Sequence, residues 1–242
     1  MNRLFIVAIL IFGACTTAQI NQTIGEVNKS LGGAAAPLTT AEVAEGLKEA
    51  LIKGISTGSD LASQVDGYLK NPAIKIPFPP DVKRVEDRLR QIGLGSEVDR
   101  FITTLNRGAE EAAKEAKPIF VSAIRSMTIQ DAWAILRGES DAATQYLKRT
   151  TSAQLKDKFR PVIQRSLDKV QATKYYSDIV TRYNQLPLVQ KVNPDLDEYA
   201  TDRAIDGLFI MIAQEEQNIR DNPVARTTEL LRKVFGSSAS TK

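Results

Sequence analysis

The polar run from Glu215 to Arg226, EEQNIRDNPVAR, carries the groups best suited to holding an anion. Arg220 and Arg226 flank Asn222-Pro223, a cap followed by a first-turn proline. Guanidinium forks and the free N–H groups of a helix start both favour negative charge. Glu216 stands four residues before Arg220, the favourable order for a helical ion pair. The same stretch therefore also fits a structural corner held by ion pairs. Asn106 and Glu110 form a second i, i+4 pair that could face the same cleft. With Asp131, these residues make up the candidate ligand-binding set: Arg220, Arg226, Glu216, Asn106, Glu110 and Asp131. Trp133 reads as core rather than as a ligand platform.

Other chemistries are bounded by what the chain lacks. It has no histidine, and its single cysteine is Cys15. Imidazole catalysis, histidine-bearing zinc sites and Cys–His pairs are closed to it. Asn193-x-Asp195-x-Asp197 begins like a calcium loop, but Glu198 stands where the sharp turn needs glycine and Ala204 where a bidentate glutamate belongs. An acidic first turn facing a helix dipole explains the stretch better, so no metal site and no cofactor is assigned. Ser152 and Lys156 lie one turn apart, the spacing of a serine–lysine dyad. Paired carboxylates suffice for glycoside cleavage; Glu110, Glu111, Asp131, Glu139, Asp141, Asp202, Asp206, Glu215 and Glu216 are all available, and spacing selects no pair. No catalytic residue is assigned.

The N-terminus sets the compartment. Arg3 precedes an apolar run from Leu4 to Phe12, then the small residues Gly13 and Ala14 before Cys15. This is the pattern of a secretory signal over residues 1–18, far shorter than the ~20 residues a membrane-spanning helix needs. Two processing outcomes are open. Phe12-Gly13-Ala14-Cys15 resembles a lipobox, which would make Cys15 a lipidation site; cleavage after Ala18 would instead release the chain. The expected location is the periplasm, with a lipid anchor at Cys15 in the outer membrane under the first outcome, because Thr16 rather than aspartate follows the cysteine. The net charge of +3 shows no basic excess of the kind nucleic acid requires. Membrane contact is expected only through the anchor, and the expected partner is an envelope protein or a small anionic ligand.

The elements that must position these residues read as helices. Residues 19–37 are a polar, Gly- and Ala-rich tether, residues 38–236 a single helical domain, and residues 237–242 a frayed tail. Thr39-x-x-Glu42 is a capping box ahead of Val43, Leu47, Leu51 and Ile55. Gly54 to Ser59 is read as the end of that helix, with a short second helix from Asp60 to Tyr68. Ile74, Ile76 and Phe78 alternate with Lys75 and Pro77, predicting an extended segment with one buried face. A long helix starts at Ser96 and carries an alanine stripe before Pro118 restarts it. Thr128 caps a helix over 129–137, with Gly138 at its left-handed end. Further helices are expected from Asp141, from Arg160-Pro161, around Tyr175 to Tyr183, over Leu196 to Ile212, and from Asn222-Pro223 through Val224, Leu230, Leu231, Val234 and Phe235. The sum is roughly nine helices and an all-α fold.

Several of these pieces, in order, resemble the bacterial family called domain of unknown function 4197. They are Gly46-Leu47-Lys48-Glu49-Ala50-Leu51, Asp66-Gly67-Tyr68, Ile74-Lys75-Ile76-Pro77, Asn106-Arg107-Gly108-Ala109-Glu110, Asp131-Ala132 through Gly138, Ala143-Thr144-x-Tyr146, and Ile219-Arg220-x-Asn222-Pro223 through Leu230 to Gly236. The resemblance covers about Leu38 to Gly236. It implies an exported, mostly helical bacterial protein and carries no catalytic residues with it. The functional expectation is a non-enzymatic ligand-binding or interaction module of the cell envelope; the alternative is a carboxylate-dependent hydrolase acting on envelope glycan.

Overall fold

The structure is a computed structural model that describes residues 39–185, 187–188 and 191–222. The chain divides into Met1–Pro37 and Leu38–Lys242, and every described residue belongs to the second unit. The signal, the tether, Cys15, Arg226, the helix expected after Pro223 and the tail lie outside the described residues.

Among the described residues the fold is all-α and contains no strand. The helices are α1 (Thr40–Ser63), α2 (Lys83–Gln91), α3 (Gly95–Ala113), α4 (Ala116–Arg125), α5 (Ile129–Arg137), α6 (Ala142–Asp168), α7 (Ala172–Asn184) and α8 (Leu196–Asp221), with a 3-10 turn at Pro80–Val82. Helices α1, α3, α4, α6 and α8 pack on one another. Their shared core includes Leu47, Leu105, Phe120, Leu155, Phe159, Ile163 and Leu208, all fully buried or nearly so. Helix α2 rests on α3, and α7 rests on α6 and α8.

Among the described residues the expected division into helices is slightly too fine, because two expected boundaries do not exist. Helix α1 runs unbroken through Gly54 and Gly58 to Ser63. Both glycines face α8. A Cβ at Gly54 would sit 2.8 Å from Ile219 Cδ1, and one at Gly58 would touch the Met211 carbonyl. They let two helices approach closely instead of ending one. Helix α6 likewise runs through Pro161. Its buried face, Thr151, Leu155, Phe159, Ile163 and Leu167, continues in register across the proline. Pro161 removes the N–H that would reach the Asp157 carbonyl, and both residues are exposed, where water can serve instead. In the other direction, α2 was not foreseen. Its sequence KRVEDRLRQ offers only Val85 and Leu89 as an apolar pair. On α7 Tyr176 is buried and Tyr175 is 59% exposed. Gly138 is not left-handed (φ −79°). Glycine is needed there for room, since a Cβ would lie 2.7 Å from the Ala142 Cβ.

The segment over 64–79 is the main non-helical feature near the core. It crosses from the end of α1 to the 3-10 turn as a strap lying between α3 and α8. Ile74, Ile76 and Phe78 are buried while Lys75 and Pro77 are exposed, so the alternation holds. No strand pairs with it. Tyr68 is fully buried and donates its hydroxyl to the Ala204 carbonyl of α8 at 2.6 Å. Burial, with the Glu110 carboxylate nearby, pushes that hydroxyl far above the ordinary tyrosine range.

Gly207 provides the groove in which the strap lies. A Cβ there would meet Tyr68 Cε1 at 2.8 Å and Ile74 Cβ at 3.1 Å. In an open helix, replacing glycine by alanine stabilises by about 1 kcal/mol. Here the sign should reverse. Gly207→Ala is expected to destabilise the fold by about 1–3 kcal/mol through overpacking, measured by urea unfolding.

Candidate functional site

The described candidate residues fall into separate places, and each is engaged within the chain. Asn106, on α3, is fully buried and pairs with the strap as a neighbouring strand would. Its Oδ1 accepts from the Ile76 N–H at 2.9 Å, and its Nδ2 donates to the Ile76 carbonyl at 2.8 Å and to the Ile102 carbonyl at 2.8 Å. Glu110, one turn along α3, accepts the Tyr68 and Leu69 N–H groups on one oxygen, both at 3.2 Å. Its other oxygen accepts from Arg107 at 2.6 Å. Arg107 also reaches Asp66 at 2.7 Å, and Lys70 reaches the second Asp66 oxygen at 2.8 Å. Lys70 first, then Arg107, hold the Asp66 carboxyl below the usual carboxylate range. Asp66 itself has φ +71°, a strained conformation for a non-glycine residue that this network stabilises.

Glu216 and Arg220, on α8, join two other helix ends. Glu216 is buried and accepts the Ala143 N–H at 3.0 Å and the Thr144 N–H and hydroxyl at 2.8 Å each. Those are orphan donors of the first turn of α6, whose own cap residue, Asp141, makes no side-chain cap bond. Arg220 donates to Glu216 and to the Ile135 carbonyl in the last turn of α5 at 3.0 Å. Asp131 stands apart from both groups. It completes a capping box with Thr128, and the Thr128 hydroxyl and N–H hold its carboxyl below the ordinary range. The structure thus brings Asn106 together with Glu110, and Glu216 together with Arg220. It does not assemble the described candidates into one cleft.

The remaining chemistry-bearing motifs are engaged too. Asp195 caps α8 by accepting from the Glu198 N–H, and Asn193 bonds to Glu198 and to the Asp195 N–H. Ser152 donates to the Lys148 carbonyl, while Lys156 pairs with Glu198 and Asp202. Trp133 is half-buried, with the Arg137 guanidinium 4.6 Å from its ring centroid.

A concavity suited to an apolar guest was missed from the sequence. It is a cavity of about 190 Å³ between the 3-10 turn, α2, α3 and the start of α7. Phe78 and Phe101, with ring centroids 4.9 Å apart, line it along with Val82, Val85, Leu89 and Tyr176. At its rim Glu97 and Arg100 pair with each other at 3.0 Å. The only sequence signal for it was the apolar pair Val85 and Leu89 within a charged stretch, following the buried alternation that ends at Phe78.

The fold and its strap define the class: an all-helical domain in which an extended segment is held by side chains of a long helix. The chain matches the family described as Protein of unknown function (DUF4197) over residues 37–236, and it belongs to that family. No curated protein and no solved structure matches it. Among the described residues, no helix is long and apolar enough to cross a membrane.

Two predictions follow from the buried carboxylates. Glu216→Ala removes the acceptor of two helix-start N–H groups and the carboxylate that Arg220 pairs with. It should cost about 3 kcal/mol or more, read as a lowered midpoint in chemical unfolding. Asp197 behaves differently. Burial pushes its carboxyl up, a hydrogen bond from Thr173 opposes that, and Asp195 and Asp168 add to the rise. The folded state then holds this proton more tightly than the unfolded state, so its contribution to stability falls as pH rises through the raised value. Asp197→Asn should flatten that slope and raise the midpoint of thermal unfolding near neutral pH, measured from about pH 4 to about pH 7.

Proposed function

We propose that this is an exported, non-enzymatic cell-envelope protein that holds a small uncharged apolar group in the cavity beneath Phe78. The observation that carries the reading is the aromatic and aliphatic wall of this partly open cavity, where the charges of Glu97 and Arg100 at the rim neutralise each other. An enclosed apolar cavity of about 150 Å³ takes up a benzene-sized molecule; this one, partly open to solvent, offers about 190 Å³. The candidate polar residues support the reading by exclusion of a rival role, since Asn106, Glu110, Glu216 and Asp131 each spend their hydrogen bonds inside the fold. The hydrolase alternative needs two carboxylates facing each other in one cleft, one with a raised pKa. Asp197 is a buried carboxyl pushed upward, and it does not line this cavity.

Export rests on the pattern of residues 1–18, and anchoring on Cys15 as the lipidated residue of an outer-membrane lipoprotein facing the periplasm. Intact mass of the mature protein, compared with Cys15→Ser, tests that part: a diacylglycerol and acyl increment lost in the variant supports it, and an unmodified mass contradicts it. For the cavity, toluene should raise the thermal midpoint of the wild type by mass action and leave Val85→Trp, which fills the space, unmoved. An equal shift in both proteins, or none in either, would refute the cavity as the site.

A further inference from the structure

A second concavity, of about 410 Å³, lies between α3 and α6 and shares no lining residue with the apolar cavity. Its two walls differ in charge. On the α3 wall every charge is matched: Arg107 is clamped by Glu110 and Asp66, and Lys114 pairs with Glu111. On the α6 wall stand Arg165 and Lys169, one turn apart and exposed. Among the described residues neither side chain has an ion-pair or hydrogen-bond partner. Like charges at this spacing repel one another along a helix. Their position near the end of α6 offsets part of that through the helix dipole, but the two cations still face the cleft unmatched.

The floor of the cleft is fixed. Gly108 and Ser166 bring α3 and α6 together so closely that a Cβ at Gly108 would lie 3.3 Å from Ser166 Cβ. Ser166 donates its hydroxyl proton to the Val162 carbonyl, and Ser63 donates its own to the Asp60 carbonyl, so both oxygens present lone pairs rather than donors. Recognition of an anion here falls to the two cations. A guanidinium fork reads the oxygens of a phosphate in pairs, and an ammonium adds a point charge. Two unmatched positive charges complement a group carrying up to two negative ones. The volume exceeds what a bare anion fills, which leaves space for the group that bears it. At the lip, Val65 is 78% exposed, an apolar contact beside the charged site.

We propose that the cleft between α3 and α6 binds a phosphate-bearing ligand through Arg165 and Lys169. This site is separate from the apolar cavity, and neither reading depends on the other. Phosphate of this kind is available as a free or soluble phosphoryl group or as a phospholipid headgroup. The test measures binding of the full chain to pyrophosphate by calorimetry, and to vesicles of phosphatidylglycerol against vesicles of phosphatidylcholine, at an ionic strength of about 0.15 M. The wild type is compared with Arg165→Gln/Lys169→Gln and with Lys158→Gln/Lys174→Gln, which removes equal charge elsewhere. The α6-end variant should weaken binding by about tenfold for each charge removed, with the control unchanged and all three proteins equally stable. Binding to pyrophosphate alone identifies a soluble phosphoryl ligand; binding to phosphatidylglycerol vesicles without competition by pyrophosphate identifies a lipid headgroup. No binding to either probe, or an equal loss in the control, overturns the proposal.

Discussion

A stretch of chain that leaves helix and lies against the core carries N–H and C=O groups with no built-in partner, and leaving such groups unpaired away from water is costly. The strap over 64–79 meets that constraint with side chains. Asn106 is the closest substitute for a strand edge that one residue can offer, an acceptor and a donor presented side by side to the N–H and C=O of Ile76. Glu110 supplies the acceptor for two consecutive N–H groups, Tyr68 and Leu69. Tyr68 then plugs the strap into α8. The long helix α3 therefore has two tasks. Its alanines and Leu105 build the core, and its Asn106-to-Glu110 turn holds the strap.

The same physical solution recurs at the other end of α8. Helix α6 lacks a side-chain cap of its own, and Glu216 supplies one from a distance, with Arg220 neutralising the buried carboxylate and extending to the end of α5. Buried ion pairs contribute little net stability relative to an apolar replacement, yet removing one partner is costly. Their value here is positional: they fix where three helix ends meet. Both networks join residues far apart in the chain, so neither helix packing nor local propensity alone can define the fold.

Much of the architecture was legible. The all-α class, the capping box at Thr39, the cap at Thr128 and the alternation from Ile74 to Phe78 follow from period and cap chemistry, which are local. The errors at Gly54, Gly58 and Pro161 share one cause. Each residue is a breaker by local propensity, and in each case packing across helices decides the outcome: close approach to α8 for the glycines, a continuous buried face for the proline. The polar motifs were visible as pairs, Asn106 with Glu110 and Glu216 with Arg220. What no spacing could give was their partners, because Ile76, Tyr68 and Thr144 lie 30 to 72 residues away. The apolar cavity was hidden for a related reason. Its walls come from four segments, and α2 contributes only two apolar side chains within a strongly charged sequence.

If Asn106 and Glu110 exist to hold the strap, the amides they bind cannot open without breaking the core of the bundle. Native-state hydrogen exchange resolved at Tyr68, Leu69 and Ile76 measures this directly. The account predicts that these three amides, though outside any helix, exchange only through global unfolding, with protection equal to that of the central amides of α3. Exchange at the rate of an exposed loop would mean that the strap is not anchored by these side chains, and would return Asn106 and Glu110 to the pool of groups available for a ligand.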